Sequence, residues 1–410
     1  MKSKKYQITR DGELDFLGEA YASSYPNLHR YPATMLPQLG ITLLNRLNIS
    51  KGLMLDPYCG SGSSFASGLH VGMQKFVGFD LNPLAVLITK VKFTKLDCEL
   101  LKATQERVTK AVNQLNPEKI DLSEIPKITN MDFWFPKSGL KFLVAIKKIV
   151  EEIEEQNIRN LFYLALSETI RDVSYTRNSE FKLYRIQAEK LDEHKHDAPK
   201  QFLSYLEKIC SIYLTRYYPH LDGVETSITN NAFEFLDTKA DVVLTSPPYG
   251  DSRTTVAYGQ FSTFTNEWLG VEDARKVDSR LMGGKPAKEI LVNSLIQAEI
   301  KKIAGIDAKR SLEVSSFYED LRFSIQKVSA AVKKGGYVIY VVGNRRVKDV
   351  QLSTDQFIAE EFERGGCKHI ATYERVISSK TMPSSNSPSN KSGAVRGTMT
   401  QEFVVVCEKL

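Results

Sequence analysis

Short apolar runs that end in polar or glycine-rich turns mark strands in the first and last parts of the chain. Leu53-Met54-Leu55 leads into a glycine-rich turn, Phe65 to Leu69 begins a helix, and Phe76-Val77-Gly78-Phe79 ends at Asp80. Strand, turn, helix and strand in that order predict a βαβ unit with parallel strands and a right-handed crossover. From about Lys95 to Gly223 the pattern becomes helical, as in Phe142, Ile146, Ile149, Val150 and Ile153, and again in Ile158, Leu161, Phe162 and Ala165. Within it, residues 180–200 are polar and charge-mixed, as in a solvated helix or a mobile segment. Strand signals return at Asp241 to Leu244, at Tyr337 to Val342 after the turn Lys334-Gly335-Gly336, and at Phe403 to Val406, with a helix-like stretch over 316–332. Ser, Pro, Asn and Gly crowd residues 378–398, which predicts a loop. The expected fold is α/β, with a mostly parallel, doubly wound sheet plus a largely helical insertion. Its segments are 1–95 (first half of the core), 96–225 (insertion) and 226–410 (second half).

Composition narrows this only a little. The 410 residues are 42% hydrophobic and 25% charged, ordinary for a globular chain long enough for two or three units around a sizeable core. A net charge of +6 permits an anionic partner without demanding one. The five cysteines form no CxxC pair and the histidines have no ligand spacing, so neither a disulfide framework nor a metal site is expected, and a reducing cytoplasm fits. The first residues lack an apolar core of signal-peptide length, and no run approaches the ~20 apolar residues that cross a bilayer, so no membrane partner is expected.

Two turns carry candidate chemistry. Asp56-Pro57-Tyr58-Cys59-Gly60-Ser61-Gly62-Ser63-Ser64 follows a strand and opens a helix, where unpaired N–H groups and glycines let a ligand come close. The third glycine of a dinucleotide fingerprint and the Gly-Lys-Ser/Thr of a Walker loop are absent. Asp56 would repel a pyrophosphate and favour an ammonium, which points to S-adenosylmethionine. Asp80, ending the next strand, is placed to accept from two ribose hydroxyls. The second turn, Thr245-Ser246-Pro247-Pro248-Tyr249, ends the Asp241 strand. Its prolines fix φ and remove two backbone donors, which leaves carbonyls free to accept from an amine, and Tyr249 offers a flat face for stacking.

With both turns in one chain, the sequence resembles the S-adenosylmethionine-dependent amino-methyltransferases of DNA, in DPYCGSGSS at 56–64, in SPPY at 246–249, and in Asn27-Leu28-His29-Arg30-Tyr31-Pro32-Ala33-Thr34-Met35 upstream. The likeness implies a Rossmann-like methyltransferase core. It implies that Tyr31, Pro32, Ala33, Asp56, Tyr58, Gly60, Ser61, Gly62, Asp80, Leu81 and Thr245 bind S-adenosylmethionine, with Asn231 in place of the family's adenine-contacting acid. Ser246, Pro247, Pro248 and Tyr249 would carry catalysis. The implied reaction is direct methyl transfer to an exocyclic amine of a base flipped from duplex DNA. Serine at 246, where many adenine enzymes carry aspartate, favours cytosine N4, with adenine N6 as the alternative and an RNA guanine amine a more distant one. No cysteine follows a proline, so carbon-5 chemistry is not expected. Double-stranded DNA is the expected partner, together with a restriction endonuclease of the same defence system. The insertion is the first choice for target recognition and residues 251–316 the second, with Arg171, Arg177, Arg253 and Tyr258 as candidate DNA contacts.

Overall fold

The computed structural model describes residues 6–18, 24–122, 125–178, 181–194, 196–231, 237–251, 256–377, 385–386, 396–397 and 400–410. Its framework is one eight-stranded sheet. In chain order the strands are β1 (Ile8–Arg10), β2 (Leu53–Asp56), β3 (Lys75–Phe79), β4 (Glu225–Thr229), β5 (Ala240–Thr245), β6 (Val332–Val342), β7 (Cys367–Val376) and β8 (Gln401–Lys409). Their spatial order is β1-β7-β8-β6-β5-β2-β3-β4. All neighbours are parallel except β8, which runs antiparallel to both β6 and β7. From β2 the chain winds outward through β3 and β4. From β5 it winds the other way, which makes the β2/β5 junction the topological switch point where ligands of such sheets bind.

The faces are covered by helices α1 (Pro37–Arg46), α2 (Ser63–His70), α3 (Pro83–Phe93), α4 (Cys98–Asn113), α5 (Lys137–Glu151), α6 (Gln156–Val173), α7 (Ala198–Ile212), α8 (Tyr258–Trp268), α9 (Gln297–Ile306), α10 (Ala308–Ala331) and α11 (Thr354–Arg364). Strand side chains alternate between two cores, as a buried sheet requires. Met54, Val242, Ile339 and Val404 join Phe65, Phe162 and Phe202 on one side, and Leu55, Val243, Tyr340 and Val405 join Tyr318, Ile325 and Phe357 on the other. The insertion is the crossover from β3 to β4. It adds α4 to α7 after α3 and shares the first of these cores rather than closing one of its own.

Three differences from the sequence reading have local causes. The helix expected over 316–332 starts at Ala308, because Asp307 caps it by accepting from the Arg310 N–H at 3.0 Å. The strand expected at 337–342 begins at Val332. Its register against β5 jumps between Ala240 and Val242, and the extra residues are absorbed at Gly335, whose φ is +75°. Much of the loop expected over 378–398, with Lys380 and Lys391, lies outside the described residues. Phe135 anchors the insertion, packing edge-on to Phe264 and Trp268 of α8 at 5.0 and 6.0 Å.

Candidate active site

The carboxyl ends of β2 and β5 are tied together by Asp56. This side chain is 3% exposed and accepts from the Tyr58 N–H at 2.9 Å, from the Thr245 hydroxyl at 2.5 Å and from the Ser64 hydroxyl. Burial still pushes its carboxyl up to about 6, against the pull of those donors. Asp80 accepts from the Gly60 N–H at 2.9 Å and the Asn82 N–H at 2.8 Å, so it closes the glycine turn onto the end of β3. Burial raises it to about 6 as well, with the charge on Asp56 adding to the effect.

Between them opens a cavity of about 400 Å³. Its wall includes Tyr31, Ala33, Asp56, Tyr58, Gly60, Ser61, Asp80 and Leu81 from the expected cofactor set, and Ser246 and Pro248 from the expected acceptor turn. One cavity thus brings the two turns together although almost 190 residues separate them in sequence. Pro32 is buried and Thr245 lies beneath the wall on Asp56. Pro247 and Tyr249 are not part of the wall. Tyr249 packs against the second core, donates from its hydroxyl to Glu402 Oε1 at 2.9 Å and accepts from the Ser246 hydroxyl at 3.2 Å.

Several expectations need correction. Gly62 has φ +81°, but a Cβ there would lie 2.7 Å from the Phe93 ring and 3.1 Å from Thr89. It is glycine so that α2 can start against α3, and it does not face the cavity. Asn231 is exposed beyond the end of β4 and takes no part in the wall. Arg171 is not available to DNA: it is buried, donates to the Phe261 carbonyl at 3.2 Å and sits 4.4 Å from the centre of that ring. Tyr258 lines the cavity, stacked on Tyr31 at 6.1 Å, rather than standing on an outer surface. Arg253 lies outside the described residues, whereas Arg177 is exposed, as a DNA contact requires.

Sequence reasoning missed other residues. Asn82 caps α3 and donates to the Tyr31 hydroxyl at 3.1 Å and the Tyr258 carbonyl at 3.3 Å. The signal was local, an acid followed by Asn-Pro at a helix start. Lys92 is buried with its ammonium on the Ser61 carbonyl at 2.7 Å and Asn27 at 2.8 Å, and burial lowers it to about 7. Asp251, just past the acceptor turn, is 1% exposed and held by Arg310 at 2.8 Å and Arg345 at 3.1 Å, which makes Arg345 an anchor of that turn. Asp320, Phe323 and Ser324 of α10 complete the wall, with the Tyr58 hydroxyl on Ser324 at 2.5 Å.

These features suit S-adenosylmethionine. The buried acids favour an ammonium and ribose hydroxyls. The Ser61 hydroxyl is buried without a hydrogen-bond partner among the described residues, and α2 begins without a side-chain cap. The described residues contain no group of three or more His, Cys, Asp or Glu side chains placed to hold a metal ion, and no helix long and apolar enough to cross a membrane.

No protein-family model matches the chain. It is 35% identical over 425 residues to the Type II methyltransferase M.MvaI of Kocuria varians, covering 96% of this chain and 93% of that protein. It is 25% identical over 167 residues to the Type II methyltransferase M.MjaII of Methanocaldococcus jannaschii, covering 39% of this chain and 31% of that one. Among solved structures, the rRNA methyltransferase aviRa of Streptomyces viridochromogenes gives a TM-score of 0.32 at 12% identity, covering 94% of this chain and 91% of that one. An S-adenosylmethionine-dependent methyltransferase of Methanosarcina mazei gives 0.31 at 9%, covering 93% and 99%. Scores this low carry no weight for function. With a relative at 35% identity across nearly all of both chains, the protein belongs to the Type II DNA methyltransferases, and S-adenosylmethionine is its cofactor.

Proposed function

We propose that the protein methylates the exocyclic N4 amine of cytosine in duplex DNA, as the protective half of a restriction–modification system. One observation carries this reading. The single hydroxyl proton of Ser246 is committed to Tyr249, so Ser246 turns its lone pairs toward the cavity. An aromatic amine has a delocalised lone pair and two N–H donors. A neutral acceptor on one N–H draws the nitrogen toward sp³ geometry without burying a further carboxylate beside Asp56 and Asp80. That economy suits serine, and the choice of cytosine over adenine rests on serine standing at 246 where many adenine enzymes carry aspartate.

The cofactor supplies a methyl group already activated on a sulfonium. The chain's own residues then bind and orient. Asp56 and Asp80 hold the cofactor's polar ends, Tyr31 and Tyr258 enclose it, and Ser246 with the proline turn aims the amine. Thr245 joins the two halves, because its hydroxyl sits on Asp56 and its backbone leads into Ser246.

We place target recognition on the insertion, within 96–225. Residues 175–178 and 181–186 lie side by side, through the Arg177 N–H to the Tyr184 carbonyl and the Ile186 N–H to the Tyr175 carbonyl, both at 2.8 Å. They present Phe181 and Tyr184, each nearly half exposed, with Arg185 4.2 Å from the centre of the exposed Phe133 ring. Phe181 packs on Phe261 of α8, one turn from the cavity-lining Tyr258, so the patch borders the site. Arginines interleaved with exposed rings suit phosphates and unstacked bases.

The test is nucleoside mass spectrometry of DNA from cells that express the protein, beside cells that express Ser246→Ala. N4-methylcytosine present with the first and absent with the second is the expected result. N6-methyladenine instead would replace cytosine with adenine as substrate. Labelled methyl on RNA but not duplex DNA would overturn the DNA reading. For the patch, Phe181→Ala with Tyr184→Ala should weaken duplex binding about tenfold or more with cofactor affinity unchanged.

A further inference from the structure

Methylating an amine releases a proton, and the hydrogen bonds leading away from Ser246 form a route for it. The Ser246 hydroxyl donates to the Tyr249 hydroxyl at 3.2 Å, and Tyr249 donates to Glu402 Oε1 at 2.9 Å. Every donor points outward from the cavity. Glu402 reaches this place because β8 is antiparallel. Phe403 pairs with Val342, the last residue of β6, so Glu402 lies just past the carboxyl ends of the parallel strands, on the side where ligands bind. Across the β7/β8 ladder it faces Arg375, which is 5% exposed and holds Glu402 Oε2 at 2.7 Å. Behind Arg375 stand the Asp15 carbonyl at 3.4 Å, the Asp15 carboxylate on the Val376 N–H at 2.8 Å, and Arg10 paired with Asp15. The Glu402 side chain keeps 15% exposure, which is enough to return a proton to solvent.

We propose that Ser246, Tyr249 and Glu402 form a proton relay that drains the acceptor amine during methyl transfer. The amine's lone pair forms the new nitrogen–carbon bond, and the electron pair of the broken carbon–sulfur bond stays on sulfur. The nitrogen then gives one proton to Ser246 Oγ, the serine proton moves to Tyr249 Oη, and the tyrosine proton moves to Glu402 Oε1. The net change is one proton lost from the amine and one carboxylate made a carboxylic acid. Tyr249 passes its proton on as it receives another, since burial and the adjacent Glu402 oppose a phenolate. Glu402 touches neither base nor cofactor. It acts through Tyr249, whose hydroxyl it positions and whose proton it accepts, and Arg375 holds it in place.

The relay rests on the reading that Ser246 receives the amine, and single-turnover methyl transfer with the full-length protein and duplex DNA separates the two ideas. If wild-type protein methylates DNA but Ser246→Ala does so at full rate, the acceptor reading itself fails. With that reading intact, Glu402→Gln, which keeps the shape and the oxygen facing Tyr249 but is too weak a base to take the proton, should slow the chemical step roughly 10- to 100-fold. Cofactor and DNA affinities should stay within about threefold. Tyr249→Phe should cost a similar factor, and the double variant little more than the worse single one, because either break stops the same chain. Added formate should restore part of the rate to Glu402→Ala. Wild-type single-turnover rates for Glu402→Gln, losses that multiply in the double variant, or parallel losses of DNA and cofactor binding would each overturn the relay.

Discussion

Thr245→Val cuts the bond that joins the cofactor half of the site to the acceptor half. Valine fills nearly the same volume, so the change is mainly the loss of one hydroxyl from a carboxylate that is 3% exposed and otherwise keeps the Tyr58 N–H and the Ser64 hydroxyl. A hydrogen bond to a charged group contributes about 1.5–3 kcal/mol, and one between neutral groups about 0.5–1.5 kcal/mol. Asp56 titrates near 6 in the folded protein, above its ordinary 3.8. A carboxyl raised on folding adds stability that is fully present below 3.8 and lost as pH rises through 6. Removing a donor that favours the carboxylate raises the folded value further, so the variant loses more stability over that window than wild type. The expected cost of Thr245→Val is therefore about 2 kcal/mol at pH 7.5 and about 1 kcal/mol at pH 5. Urea unfolding of both proteins at the two pH values reads this as the shift in midpoint at a common slope. A shift equal at both pH values, or below about 0.5 kcal/mol at pH 7.5, would refute the idea that this hydroxyl serves an ionised, buried Asp56.

The same acids make cofactor binding pH-dependent. A cationic ligand favours their ionised forms, so affinity should fall as pH drops through 6, by up to about tenfold per pH unit for each acid that must ionise; calorimetric titration from pH 5 to 8 checks this, and a flat profile contradicts it. Asp251→Asn leaves Arg310 and Arg345 buried around a neutral amide and should cost about 3–5 kcal/mol by denaturant unfolding; a loss under 1 kcal/mol would remove Asp251 as the anchor of the acceptor turn. Gly62→Ala combines a left-handed backbone with a 2.7 Å approach to Phe93, and should destabilise by at least about 1–3 kcal/mol, seen as a lowered melting temperature that bound cofactor only partly restores. Arg171→Met should lower thermal stability while duplex affinity, by gel shift, stays near wild type; a large affinity loss without destabilisation would return Arg171 to the DNA surface.

What could be read in the sequence was whatever the chain keeps local. Asp56 to Ser64 and Thr245 to Tyr249 are each a strand end plus the turn it feeds, so residue type and order within a few positions sufficed, and the cavity indeed unites them. The doubly wound sheet was legible for the same reason, since each strand is a short apolar run with its own terminator. Glu402 was not legible. Its neighbours in sequence form an ordinary strand start, and only the antiparallel entry of β8 between β6 and β7 carries it beside Tyr249. Asp320, Phe323 and Ser324 were hidden differently, as members of a long helix of which only one stretch meets the cavity. Arg171 misled because a cation near a helix end reads as solvated; its burial depends on Phe261, 90 positions away.

The insertion is also tied into the walls of the cavity. His29 Nε2 and the Ser167 hydroxyl of α6 lie at 2.8 Å, and Ser167 meets the Thr265 hydroxyl of α8 at 2.7 Å. Next to them Glu168 of α6 accepts from the Arg30 backbone N–H at 2.7 Å and from its guanidinium at 2.6 Å, while Asp172 takes the same guanidinium at 2.8 Å. Burial lowers the pKa of His29, against the pull of Glu168, and the ring serves here as a hydrogen-bonding group. Residues 29 and 30 lead directly into Tyr31 and Ala33 on the cavity wall, and α8 begins with Tyr258 stacked on Tyr31. One helix of the insertion thus grips both the segment that closes the cofactor end of the cavity and the helix that follows the acceptor turn. The exposed rings of Phe181 and Tyr184 lie on the loop that leaves that same helix. In this architecture one helix of the insertion holds two sides of the cavity wall in place, Tyr31 through residues 29 and 30 and Tyr258 through α8.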